Sequence, residues 1–180
     1  MKNLARKYWQ IIVIAAVIVL LDQWTKSLVR ANIAMGSQWL PESLEWLKPY
    51  ARIVHWYNTG AAFGIFKEGA MVFTVLAFIV IGLILYYYPQ VEKADWSLRL
   101  ALSMQLGGAI GNLADRLTIG HVTDFISVGT FPVFNVADAS ISVGAVVLLL
   151  GVWIMDRAEK KNKESSEDNK NVNVNEVISE

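Results

Sequence analysis

The chain has 180 residues, 54% of them hydrophobic and only 18% charged, which is too apolar for an ordinary soluble domain of this length. Sixteen basic residues balance sixteen acidic ones, so there is no net charge to draw nucleic acid as a partner. Cysteine is absent, which excludes disulfides, thiolate metal sites, cysteine nucleophiles and lipidation of the chain on a cysteine of its own.

In chain order, the first long apolar segment is 9–28, preceded by Lys2, Arg6 and Lys7. Asp22-Gln23-Trp24-Thr25-Lys26 continues it in helical spacing and no small-x-small site follows, so it reads as a spanning helix rather than a cleaved signal peptide. The connection 29–69 is long and mixed. Within it, Arg52 to Asn58 is rich in β-branched and aromatic residues and predicts a strand, Asn58-Thr59-Gly60 a turn, and Ala61 to Phe66 a returning strand. The expectation is a small extracytoplasmic β-sheet between the first two spans, lying on the membrane surface.

The second span, 70–88, carries no charge, and a short connector leads to the third at 96–113. The third closes on Gly107-Gly108-Ala109-Ile110-Gly111-Asn112, small residues that let helices approach closely in lipid. Asn112, Asp115 and Arg116 follow at i, i+3 and i+4 and predict a network of Arg116 with one of the other two. Asp124 lies in a stretch without helical period. Phe134-Asn135-Val136-Ala137-Asp138 then opens the fourth span, 139–155, with Asp138 placed as a helix N-cap. The fold class is thus a membrane all-α protein of four transmembrane helices, with tryptophans and tyrosines near the span ends. Residues 1–159 form one membrane domain; 160–180 is a charged, Asn-rich tail expected to be disordered.

Ten of the sixteen basic residues fall before the first span, around the 89–95 connector or after the last span. That bias puts both termini in the cytoplasm. Five polar clusters then gather at the outer ends of the spans: Asp22 with Lys26, Asn58, Asn112 with Asp115 and Arg116, Asp124, and Asn135 with Asp138. Each alone reads as a cap or local ion pair; all of them at one depth read as a site. Neither His55 nor His121 sits in a nucleophile motif, and no H-E-x-x-H zinc pattern occurs. Carboxylates without histidine or cysteine leave a pair that shares one proton and activates water, or a magnesium site. The second option describes a membrane transferase acting on lipid head groups, with Asp115, Asp124 and Asp138 as ligands. A proton-coupled transporter is a third, disfavoured by the lack of an inverted repeat.

Five segments, in order, resemble signal peptidase II, the lipoprotein signal peptidase family of bacteria. They are Asp22-Gln23-Trp24-Thr25-Lys26, Asn58 to Gly64, Gly107 to Arg116, Val122-Thr123-Asp124-Phe125 and Phe134 to Asp138. The resemblance implies a metal-independent aspartyl endopeptidase of the plasma membrane, without cofactor. Such an enzyme cuts the signal peptide from a prolipoprotein before a cysteine that already carries diacylglycerol. It implies a catalytic dyad of Asp124 and Asp138, and substrate-binding roles for Asn58, Asn112, Arg116 and Asn135. Supporting roles fall to Asp22, Lys26, Gly60, Asp115 and Ala137. Membrane lipids and globomycin-type inhibitors are the other expected partners. Thr123 departs from the family pattern, where an apolar residue is common.

Overall fold

The computed structural model describes residues 2–59, 69–92 and 94–178, with side chains over 8–59, 70–92 and 94–157. Four long helices are separated by three short strands: α1 (Lys2–Asn32), β1 (Gln38–Trp39), β2 (Ala51–Asn58), α2 (Gly69–Tyr87), α3 (Trp96–Ile119), β3 (Val122–Val128) and α4 (Val136–Ile178). A 3-10 turn, Glu42–Leu47, joins β1 to β2.

Among the described residues three helices are long and apolar enough to cross a membrane: Tyr8–Asn32, Ala70–Gln90 and Val136–Arg157. They leave Leu20, Trp24, Met71, Phe78, Leu149 and Val152 exposed, an apolar surface far larger than a soluble protein tolerates. The expected third span, 96–113, does not reach that apolarity. The reason is its position: α3 is the central helix, packed against α1, α2 and α4. Its buried positions include Ser97, Arg99, Ser103, Asn112 and Asp115, which meet protein rather than lipid.

The glycines of α3 set how closely its neighbours lie. A Cβ on Gly107 would stand 2.8 Å from Ile18 Cβ of α1, and one on Gly108 would stand 2.5 Å from the Ala137 carbonyl oxygen of α4. The expected small-residue packing is therefore present on both sides of the helix. Below it, Ile11, Ala15, Ile84, Tyr88 and Leu106 form the apolar core of the bundle. Gly120, at φ 80°, ends α3 in the left-handed region and releases the chain into β3.

The sheet differs from expectation in membership. It is antiparallel in the order β1-β2-β3, so its third strand comes from between α3 and α4 rather than from the loop between the first two spans. The proposed return strand at 61–66 lies outside the described residues. Pairing runs Ile53 with Ile126 but Trp56 with Asp124, so β2 carries one extra residue in between. That bulge flips the strand's parity. Beyond it Asn58 pairs with Val122 and shares a face with Asp124; in an unbroken ladder Tyr57 would take that place. Two further differences concern α4. Its helix runs on to Ile178, through the tail expected to lack structure, where glutamates and lysines are good intrinsic helix formers. Its N-cap is Asn135, not Asp138, which sits three residues inside.

Candidate active site

Asn135 organises the site through a reciprocal capping box. Its Oδ1 accepts from the Asp138 N–H at 2.9 Å, and its own N–H donates to Asp138 Oδ2 at 3.2 Å. Its side-chain Nδ2 meanwhile donates to Asp124 Oδ1 at 2.7 Å and to Asn112 Oδ1 at 3.1 Å. One fully buried asparagine thus bonds both acids of the expected dyad. Each acid has a second amide partner: Asn58 Nδ2 donates to Asp124 Oδ2 at 2.8 Å, and Asn112 Nδ2 to Asp138 Oδ1 at 2.7 Å. Four N–H donors on two carboxylates fix both side chains in direction.

Beneath this pair lies a charged layer anchored by α1. Lys26 Nζ is fully buried and meets Asp22 at 2.8 Å, Asn112 Oδ1 at 2.9 Å and Asp115 at 3.4 Å. Asp22 Oδ1 in turn accepts from the Ala137 N–H at 2.9 Å, filling an orphan donor in the first turn of α4. Asp115 Oδ2 accepts from the Thr123 N–H at 3.0 Å, and Arg30 bonds both Asp115 at 3.3 Å and Thr123 Oγ1 at 3.0 Å. Gln23 Nε2 also donates to Asp115 Oδ1 at 3.1 Å. Helix α1 therefore locks the residue before Asp124 and the residue before Asp138. A buried cation left with one carboxylate, or the reverse, is costly, so this layer stands or falls as a unit.

The expected Arg116 network is absent from this layer. Consecutive helical residues point about 100° apart, and Asp115 turns to Lys26 and Arg30 while Arg116 turns to the opposite side. There its guanidinium lies 5.5 Å from the Phe73 ring centroid, and its Nε has no hydrogen-bond partner among the described residues.

Arg116 faces a cavity of about 670 Å³ lined by Asp124 and Asp138, with Asn58 and Asn112 beside them. Its deeper wall is apolar, from Phe73, Leu76, Val80, Ala109 and Ile141. Three expected substrate-binding residues, Asn58, Asn112 and Arg116, therefore share the cavity with the dyad. Asn135 does not: it lies behind both acids and acts on them rather than on what enters. Asp22, Lys26, Asp115 and Ala137 are buried in the supporting layer. Gly60 lies outside the described residues. Gln23, Arg30 and Thr123 were not singled out as support. The spacing of Asp22, Lys26 and Arg30 at successive fourth residues, one stripe of α1, is the signal that could have found Arg30.

Burial raises the Asp124 carboxyl to about 6 from its ordinary 3.8. The hydrogen bond from Asn58 opposes this, the charge of Asp138 adds to it, and Asn135 and Lys26 pull the other way. Such a group takes up or gives up a proton near neutral pH, which an acid–base catalyst requires.

A buried acid, Asp124, and a partly exposed one, Asp138, lining one largely apolar cavity in a bundle with helices long enough to cross a membrane, define a class: membrane proteins equipped for acid–base chemistry. The comparisons make this specific. The sequence profile described as signal peptidase (SPase) II matches residues 14–154. The lipoprotein signal peptidase of Shouchella clausii (strain KSM-K16) is 39% identical over 150 residues, covering 83% of this chain and 96% of its own. That of Halalkalibacterium halodurans (strain C-125) is 39% identical over 155 residues, covering 84% of this chain and 96% of its own. A bacterial membrane enzyme structure solved by the in meso method at 2.3 Å resolution superposes with a TM-score of 0.71 at 27% identity, over 79% of this chain and 87% of that one. This chain belongs to the signal peptidase II family, and is a membrane protease of lipoprotein processing.

Proposed function

We propose that the chain is an aspartic endopeptidase of the bacterial plasma membrane. It removes the signal peptide of a prolipoprotein by cutting immediately before the diacylglyceryl cysteine, with Asp124 and Asp138 as the catalytic pair. The observation that carries this reading is Asn135: a single buried residue hydrogen-bonds both carboxylates, and both line one cavity. Its membrane setting has α3 as a fourth span, both termini in the cytoplasm and the acids near the outer face, with 160–180 a cytoplasmic tail.

Two close carboxylates do not both ionise cheaply, so the pair retains one proton. Asp124, with its raised pKa, is the natural holder. The ionised member takes a proton from water as the water oxygen attacks the scissile carbonyl carbon. The protonated member donates to the carbonyl oxygen, giving a neutral tetrahedral intermediate. On collapse the C–N bond breaks, the new cysteine amine leaves with the proton taken from water, and a hydroxyl proton of the intermediate returns to the acid that had protonated the carbonyl oxygen, restoring the pair. Arg116, which lines the cavity, binds substrate backbone, and the apolar wall takes the lipid chains and globomycin-type inhibitors. Asn58 and Asn112 orient the acids as well as bordering the substrate.

The magnesium transferase reading needs Asp115 as a third ligand. Its two oxygens are already engaged by Lys26, Arg30, Gln23 and the Thr123 amide, which disfavours it. The test is incubation of the purified protein with a lipidated precursor peptide in excess EDTA. Cleavage is expected to survive chelation; cleavage that stops in EDTA and returns with magnesium would reverse the choice.

A further inference from the structure

The apolar wall of the cavity has one polar residue, Gln105. It stands on the face of α3 that also carries Ala109, Asn112 and Arg116, at spacings of four, seven and eleven residues. Counting down α3 from Asn112, the rise per residue puts Gln105 about 10 Å deeper. Helix α4 gives an independent measure. Gln105 Cγ lies 3.4 Å from where a Cβ on Gly144 would be; Gly144 is six residues, or about 9 Å, below Asp138. Both helices place the amide one depth, roughly 10 Å, on the bilayer side of the acids. Among the described residues Gln105 makes no hydrogen bond, and Phe73, Leu76, Ala77, Val80 and Ile141 line the same cavity. A primary amide with two donors and no partner in an apolar chamber at membrane depth is costly unless something that enters the chamber accepts from it. The opposing glycine leaves room for it to extend.

We propose that Gln105 is a specificity residue whose side-chain N–H donates to a carbonyl oxygen of the substrate about 10 Å from the scissile bond. This rests on the peptidase reading above. Two carbonyls of one substrate lie within that reach. The thioether-linked glycerol places its acyl ester carbonyl about six bonds from the cysteine Cα, and an extended signal-peptide segment places a backbone carbonyl about three residues away at ~3.3 Å each. Either would satisfy the amide only once substrate is bound, so the interaction selects substrates rather than building the fold.

The experiment compares wild type with Gln105→Met, close in size and without donors, and Gln105→Leu, all as full chains in phospholipid nanodiscs. Each is assayed on two synthetic lipopeptides identical except that one carries ester-linked and the other ether-linked chains. On the ester substrate both variants should lose about 3- to 10-fold in kcat/KM, the range for one neutral hydrogen bond, with unchanged thermal unfolding. If the loss vanishes on the ether substrate, and wild type falls to the variants' level there, the acceptor is the ester. If the loss persists undiminished, the acceptor is the peptide carbonyl. Variants equal to wild type on both substrates would overturn the proposal, as would variants that lose their fold, since Gln105 would then be a packing residue. Failure of wild type to cleave either substrate would instead overturn the peptidase reading itself.

Discussion

Asn135 serves two purposes that a single substitution can separate. As N-cap it satisfies the Asp138 N–H at 2.9 Å; as donor it holds Asp124 Oδ1 at 2.7 Å. Serine caps as well as asparagine does but is too short to reach Asp124. Asn135→Ser should therefore keep nearly wild-type thermal stability while losing one hydrogen bond to the proton-holding acid, about 0.5–1.5 kcal/mol. That is up to about one decade of kcat/KM if the bond sets the attack geometry. Asn135→Ala removes the cap as well and should cost roughly 1 kcal/mol more in stability. A second signature accompanies the rate. The Asn135 bond holds the Asp124 pKa down against burial, so its loss should push that group above 6 and move the basic limb of the pH profile upward. The assay is cleavage of a fluorogenic lipopeptide across pH, with thermal unfolding on the same samples. Serine and alanine variants of equal, wild-type activity would refute the reasoning, and a serine variant as unstable as the alanine one would show that capping was misjudged.

Three other outcomes follow from the same geometry. Because Asp124 is raised to about 6 when folded, its acid form favours the fold. That contribution is fully present below 3.8 and lost as pH rises through about 6; kcat/KM should likewise fall by about tenfold per unit above that pH, and a flat profile from 5 to 8 would contradict it. Lys26→Met leaves Asp22 and Asp115 buried without their cation and should cost roughly 3–5 kcal/mol, read as loss of monodisperse protein and a lowered unfolding temperature; wild-type stability would count against the charged layer. Gly108→Ala drives a methyl against the Ala137 carbonyl and should cost about 1–3 kcal/mol while displacing Asp138, so stability and activity should fall together, and an unaffected enzyme would contradict the close α3–α4 contact.

The apolar spans at α1, α2 and α4 were legible from composition because lipid is a uniform solvent that asks only for length and apolarity. Helix α3 was read as a span on the same grounds, yet it falls short of the apolarity of the other three because protein surrounds it and its polar residues serve neighbours. The positions of Asp124 and Asp138 were readable as polar residues at span ends, yet which groups hold them was not. Asn58 reaches Asp124 only because β2 gains a residue between Ile53 and Trp56, and no local preference in Val54-His55 announces that bulge. The third strand was missed because Val122 to Val128 pairs with a segment some seventy residues away, a nonlocal contact with no periodic trace. Two misplacements were local. Asn135-Val136-Ala137-Asp138 has the spacing of a capping box, which moves the cap from Asp138 to Asn135. Asp115 and Arg116, being adjacent, could not share a helix face, so their pairing was excluded by helical geometry from the start.

The most direct test of the central claim is single-turnover cleavage by Asp124→Asn, Asp138→Asn and Asp115→Asn in one reconstituted system, with binding of a globomycin-type inhibitor as the measure of an intact site. The account predicts that the first two bind inhibitor yet leave the precursor uncut. Asp115→Asn, which takes the negative charge away from Lys26 and Arg30, should yield less stable protein with residual specific activity. A stable, inactive Asp115→Asn beside an active Asp124→Asn would contradict it and move the catalytic pair.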